Sequence, residues 1–341
     1  MAVVATGFFD GVHLGHRRVV ETLVSSARQR GEEAVVVTFA QHPRAVLQQD
    51  ARNLRLLCSS GEKAALLRGL GVDRVETLSF DRALARLTAE QYIRDILRDR
   101  LGATLLILGY DNRLGSDRLT PDRIAPIAES LELEVIVVPP FSIAPLRGSQ
   151  PLKTSGDAGP LPLPSEAGPS LLRSRGWLRF SEAAAASTAL DGEVVISSTK
   201  IREALERGDV ETANAMLGYA YGLRGVVVGG KQLGRTIGFP TANLRLYDPL
   251  KIIPARGVYL TEVEVLGRHH WGMTNVGDII ETHIFDFDED IYGLDLEIRF
   301  RRHLRPMREM ESLDALKTQL AADEAACRAL LGGDESLPFI K

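Results

Sequence analysis

Eight of the chain's 16 prolines crowd into the stretch from Pro139 to Pro169. Proline fixes φ and removes a backbone donor, so no helix interior or central strand runs through such a stretch. A flexible or extended insertion over about 139–192 is therefore expected, its gaps filled by Gly and Ser, ending near the Ala-rich Glu182 to Ala186. The sequence changes period across it. From Val3 to about Val138, short β-branched runs (2–6, 34–39, 74–78, 104–108 and 133–138) alternate with amphipathic stretches such as His16 to Arg30 and Ala89 to Arg100. That alternation is the pattern of βαβ layering on a parallel sheet, which binds ligands beyond the carboxyl ends of its strands. Ser198 to Leu217 reads as helix interrupted at Gly208. From Gly222 to Leu304 the pattern is β: Leu294, Leu296, Ile298 and Phe300 alternate with charged neighbours, predicting a small antiparallel barrel or sandwich. Leu313, Leu316, Leu320 and Leu331 then fall at helical spacing and should pack a last helix on that barrel.

The 341 residues suffice for two cores, and 45% hydrophobic with 25% charged residues is the composition of an ordinary folded protein. Lys and Arg number 41 against 45 Asp and Glu, so no global positive field holds nucleic acid or an anionic membrane. No apolar run approaches the about 18 residues that mark a membrane span. Cys58 and Cys327 are too few and too far apart for a disulfide scaffold or zinc module, and a cytoplasmic protein is expected. Arg173, Arg175, Trp177 and Arg179 are read as the solvated end of the insertion rather than an RNA contact.

Two strings carry chemistry. Gly7-Phe8-Phe9-Asp10-Gly11-Val12-His13-Leu14-Gly15-His16 follows the first strand and opens a helix. A turn there aims backbone N–H groups at an anion, and Gly11 and Gly15 let a phosphate chain come close. His13 and His16 can then donate to phosphate oxygens whose charge grows in a transition state. The second string, Ile196-Ser197-Ser198-Thr199-Lys200-Ile201-Arg202, also begins a helix. Cations at a helix N-terminus are disfavoured unless an anion is bound, so Lys200 and Arg202 point to a second phosphate clamp facing the first.

Those strings, with Gly109-Tyr110-Asp111-Asn112-Arg113-Leu114-Gly115, resemble the nucleotidylyltransferase half of the bifunctional prokaryotic riboflavin kinase/FAD synthetase family. Gly234-Arg235-Thr236-Ile237-Gly238-Phe239-Pro240-Thr241-Ala242-Asn243-Leu244, followed by Glu281-Thr282-His283 and Asp290-Ile291-Tyr292-Gly293, resembles its kinase half. The resemblance implies an α/β fold: a Rossmann-like nucleotidylyltransferase domain over 1–218, then an antiparallel Greek-key β-barrel with a C-terminal helix over 219–335. It implies riboflavin, FMN and ATP as substrates, FAD as product, and Mg2+. It implies catalytic roles for Glu281, His13 and His16. Gly7, Phe9, Asp10, Gly11, Gly15, Asn112, Ser198, Thr199, Arg202, Gly234 and Arg235 would bind nucleotide or phosphate, and Thr241 and Asn243 the metal.

Gly225 to Gln232 fits G-x-x-x-x-G-K but lacks the Ser or Thr of a P-loop and sits in a β region. Asp286, Asp288, Asp290 and Glu297 have calcium-loop spacing, but Ile291 stands where that loop turns on glycine. His269 and His270 read as a strand end. One departure bears on activity: only Asp278, Ile279 and Ile280 separate Gly277 from Glu281, where the family carries a Pro-Thr-Phe segment and a longer loop. The alternative to a bifunctional enzyme is thus a nucleotidylyltransferase whose kinase module, impaired by this short link, only binds flavin.

Overall fold

The computed structural model describes residues 1–42, 54–143, 194–230 and 233–333. Most of the proline-rich insertion, with its basic-aromatic cluster, lies outside them.

The first layer is built from β1 (Ala2–Thr6), α1 (Leu14–Arg30), β2 (Glu33–Phe39), α2 (Ser60–Gly69), β3 (Arg74–Leu78), α3 (Ala89–Gln91, continuing with wider i→i+5 bonding through Tyr92–Arg100), β4 (Ala103–Gly109), α4 (Pro121–Ser130) and β5 (Glu134–Val138). The five strands pair in parallel in the order β3-β2-β1-β4-β5. Every residue of β1 is buried, because helices cover both faces of a parallel sheet and leave no polar side. Strand order reverses between β1 and β4, and there the helices depart to opposite faces and open a crevice.

Beyond β5, the two-residue strands β6 (Ser142–Ile143) and β7 (Val194–Val195) pair antiparallel, and Ile196 N–H donates to the Phe141 carbonyl at 3.0 Å. The chain therefore leaves and re-enters at one place, which is how the sheet tolerates so long an insertion. α5 (Ser198–Glu206) and α6 (Val210–Leu217) follow, broken at Gly208 as expected (φ 80°).

The second layer is a closed barrel of β8 (Gly222–Val228), β9 (Ala242–Leu246), β10 (Gly257–Val265), β11 (Arg268–Val276), β12 (Ile280–Ile284) and β13 (Asp295–Pro306), with the short α7 (Leu233–Thr236) before β9 and α8 (Leu313–Gly333) last. β10, β11 and β12 are consecutive hairpins, and β9 lies beside β12, a Greek-key crossing. Closure leaves no sheet edge. Inside it the Thr261, Thr274 and Thr282 hydroxyls bond in a chain at 2.9 Å per step, satisfying polar groups that would otherwise be costly to bury.

The two layers share a core. Ile201, Leu205, Val210, Met216 and Leu217 of α5 and α6 pack with Leu223, Tyr259, Ile298 and Phe300 of the barrel. Asn214 donates to the Phe300 carbonyl at 2.8 Å and accepts from Tyr221 N–H at 2.7 Å. A second seam joins Leu56 to the β9–β10 connection, through Leu56 N–H to Leu250 O at 2.8 Å and Ile252 N–H to Leu56 O at 2.9 Å. The Lys251 ammonium pairs with Glu62 alongside it.

Of the four leucines expected to pack α8 on the barrel, Leu320 and Leu331 join its core cluster and Leu313 and Leu316 do not. Leu320, Leu330 and Leu331 meet Phe239, Met273, Phe285 and Leu304, but Leu313 is 53% exposed and the fully buried contact is Cys327. Arg305 of β13 and Asp323 of α8, both buried, form a bidentate pair at 2.7 to 3.1 Å that fixes the helix on the barrel.

Candidate active sites

The turn after β1 is tight. Phe9 and Val12 have φ of 52° and 38°, and Gly11, at φ 75°, could not carry a Cβ without approaching Leu57 to 2.9 Å. This brings His13 to the N-cap of α1, where its Nδ1 accepts from His16 N–H at 3.3 Å. The two imidazoles stack at 3.7 Å and 14°, with Phe9 edge-on to His16 at 5.2 Å, and a Cβ on Gly15 would stand 3.3 Å from the His13 ring. Burial, aided by the charge of Arg202, lowers the His13 pKa to about 4; burial, with His13 and Lys63 nearby, holds His16 well below its ordinary range. Both rings are neutral at pH 7. Because Nδ1 of His13 is an acceptor, its proton sits on Nε2, the tautomer that donates to an anion.

α5 supplies the facing wall. Ser197 caps it, Ser198 Oγ donates to the Asp10 carbonyl at 3.1 Å, and Arg202 bonds the Arg55 carbonyl at 2.8 Å and pairs with the Asp10 carboxylate. Together these elements line a cavity of about 920 Å³ that includes Gly7, Phe9, Asp10, His13, Gly15, His16, Asn112, Ser198, Thr199 and Arg202. Gly11 stands behind it, shaping the turn. Lys200 is turned aside onto the Val195 carbonyl at 3.0 Å.

Like Ser198 and Arg202, the expected binders Asn112 and Asp10 are engaged with protein. Asn112 accepts from Gly109 N–H at 3.0 Å and donates to the Thr6 carbonyl at 2.8 Å, tying the ends of β1 and β4 together. The Asp10 carboxylate accepts from Leu57 N–H at 3.0 Å and Cys58 N–H at 3.2 Å, so its charge is spent on Arg202 and on backbone amides. Cys58 is no nucleophile: burial and the charge of Asp10 push its thiol up to about 12, and its sulfur accepts from Gly11 N–H at 3.0 Å. Sequence reasoning missed Lys63, buried under the cavity floor, where it donates to the Phe8 and Phe39 carbonyls at 3.0 and 3.1 Å and lies 3.9 Å over the Phe8 ring.

The second constellation is on the outside of the barrel. A Cβ on Gly234 would sit 2.2 Å from the Phe239 carbonyl, so glycine alone permits the turn that Phe239 N–H closes onto Gly234 O at 2.8 Å. Arg235 lies in the same turn. The turn delivers Thr241 to the start of β9. Across the strands, Glu281 of β12 stands in register between Asn243 of β9 and Asn275 of β11. With its amide oriented to suit its neighbours, Asn243 donates to Glu281 Oε1 and accepts from Gly230 N–H, each at 3.2 Å. Asn275, which sequence reasoning passed over, has a shielded amide oxygen with no partner among the described residues. The short link is a tight hairpin: Val276 pairs with Ile280, and Gly277 N–H donates to the Ile279 carbonyl at 3.1 Å. It delivers Glu281 in register, and the reading in which the kinase module only binds flavin is not favoured.

Among the described residues no cluster of three His, Cys, Asp or Glu could hold a metal. Asp286 of the discarded calcium loop is bound instead to Arg328.

Neutral imidazoles facing a Ser-Thr-Arg helix start, at the crevice of a doubly wound sheet, form an arrangement suited to the phosphates of a nucleotidylyltransferase substrate, and the outer face of the barrel carries a second cluster suited to a kinase. Comparison with known proteins agrees with both halves. Residues 1–150 match the FAD synthetase family model and residues 217–331 the riboflavin kinase model. A bifunctional riboflavin kinase/FMN adenylyltransferase of Listeria monocytogenes is 31% identical over 340 residues, covering 96% of this chain and 91% of that protein. One from Escherichia coli K12 is 32% identical, covering 97% and 93%. A crystal structure described as a macrolide-efflux protein from Streptococcus pneumoniae is similar at a TM-score of 0.76 and 30% identity, covering 96% of this chain and 93% of that one. The chain belongs to the bifunctional riboflavin kinase/FMN adenylyltransferase family. No helix among the described residues is long and apolar enough to cross a membrane.

Proposed function

We propose that this transferase makes FMN and ADP from riboflavin and ATP at the barrel, and FAD and pyrophosphate from FMN and ATP at the sheet, the catalytic labour dividing between residues 1–218, which include the 139–192 insertion, and 219–335. The observation that carries the reading is Glu281 held in register between two amide side chains beside the Gly234–Thr241 turn. Glu281 takes the proton of the terminal ribityl hydroxyl as its oxygen attacks the γ-phosphorus and ADP leaves. Thr241 and Asn243 would hold Mg2+: they offer neutral hard oxygens, with no cluster of three carboxylate, His or Cys ligands among the described residues, a donor set that fits an ion whose charge nucleotide phosphates would share. Bound there, the ion would offset phosphate charge.

At the sheet, the FMN phosphate attacks the α-phosphorus of ATP. His13 Nε2–H, His16, Ser198, Thr199 and Arg202 stabilise the departing pyrophosphate, while Gly7, Phe9, Gly11, Gly15 and Asn112 shape the nucleotide seat and Asp10 orients Arg202. No covalent enzyme intermediate forms; rate comes from positioning and charge stabilisation. The expected partners are riboflavin, FMN and ATP, in the cytoplasm.

The test separates riboflavin, FMN and FAD over time from incubations with ATP and magnesium started from riboflavin or from FMN. Glu281→Gln should abolish FMN formation and keep FAD formation from FMN, and His13→Ala should do the reverse. Loss of both activities in either variant would sink the two-site assignment.

A further inference from the structure

β12 alternates, with Ile280, Thr282 and Ile284 inside the barrel and Glu281 and His283 on its outer face. His283 Nδ1 lies 2.8 Å from the Pro240 carbonyl. A carbonyl only accepts, so Nδ1 carries the proton and donates. Its acceptor immediately precedes Thr241. Phe239 and Phe285 hold the ring edge-on at 5.4 and 5.8 Å, and its Nε2 is 4.0 Å from Glu324 of α8. Glu324 in turn bonds Arg328 at 2.9 Å, and Arg328 bonds Asp286. Only 12% of the His283 side chain is exposed, and a phenylalanine would fill that space without a desolvation cost. What the imidazole adds is one aimed N–H.

We propose that His283 is a positioning residue for the kinase reaction: by donating to Pro240 it fixes the turn that presents Thr241 and Asn243 to the phosphates of bound nucleotide. The inference rests on the reading of that turn as the nucleotide and metal seat. A loop before a strand has low local stability, and one hydrogen bond from a rigid strand sets its average direction. Glu281 is on the same strand but does not depend on that bond, so the nucleotide side of the reaction is affected and the riboflavin side is not.

The experiment uses the full chain and three variants: His283→Phe keeps the ring and loses the donor, His283→Asn restores a donor near Nδ1, and Thr241→Ala probes the seat itself. Mg·ADP binding is titrated calorimetrically, and KM for ATP and for riboflavin are measured in FMN formation, with FAD formation from FMN as a control on folding. His283→Phe should weaken Mg·ADP binding and raise the KM for ATP by about tenfold, the scale of one hydrogen bond. Riboflavin KM should stay within about twofold and His283→Asn within about threefold of wild type on the same scale. Wild-type Mg·ADP binding by His283→Phe, or equal damage in His283→Asn, overturns the proposal. If Thr241→Ala alone weakens binding, the seat stands and the role of His283 falls; if Thr241→Ala changes nothing, the seat itself was misassigned and the proposal falls with it.

Discussion

Replacing His13 by asparagine should flatten the acid side of the protein's stability curve. The His13 pKa falls from 6.5 to about 4, mainly because the ring is buried. Above pH 6.5 the neutral ring costs nothing. Between pH 6.5 and 4 the unfolded chain binds a proton that the folded one refuses, so stability is lost as pH falls through that window. The loss is about 2 kcal/mol between pH 7.5 and 5 and approaches about 3 kcal/mol below pH 4. Asparagine does not titrate and can still accept from His16 N–H, so the N-cap survives the substitution. The assay is urea unfolding by circular dichroism at pH 7.5 and 5.0, read as the wild-type loss minus the His13→Asn loss. His16 and every other group are common to both proteins and largely cancel. A difference within about 0.5 kcal/mol of zero, the usual limit of such comparisons, would refute the reasoning: His13 would then be solvated, and nothing would hold its proton on Nε2.

Asp323→Ala leaves Arg305 buried and unpaired between β13 and α8 and should cost about 3 to 5 kcal/mol, visible in thermal unfolding. Gly234→Ala drives a Cβ to 2.2 Å from the Phe239 carbonyl; displacing that turn should slow FMN formation by about two orders of magnitude while FAD formation from FMN is unchanged. Asp10→Asn keeps an acceptor for the Leu57 and Cys58 amides but releases Arg202, so FAD formation should fall by about tenfold or more while FMN formation persists.

Sequence pattern revealed most of the fold because the two halves obey different periodicities. β1 and β2 are covered on both faces and read as unbroken apolar runs, while β13 has one face outward and reads as alternation. Two glycines of the site strings are compulsory for different reasons: Gly11 has φ 75° and a Cβ there would meet the Leu57 side chain, while at Gly234 a Cβ would meet the Phe239 carbonyl. What sequence could not show is contact between distant segments. Asp10 looked like part of an anion loop, yet its partners are Leu57, Cys58 and Arg202, up to 192 positions away. Lys63 lies in an ordinary amphipathic helix, and nothing local announces that its ammonium is buried under Phe8. The register of Glu281 depended on how a three-residue turn closes, which spacing alone left open.

The packing of α5 and α6 against the barrel bears on how such a protein can change. Cutting the chain after Gly218 would strip the barrel from Ile201, Leu205, Val210, Met216 and Leu217, leaving each fragment with an oily, aggregation-prone scar. Two catalysts that share a keel are inherited, expressed and lost together. A small-to-large substitution at Leu205 is therefore judged by the supply of both cofactors at once, and neither half can drift toward a new substrate without carrying the other's ballast.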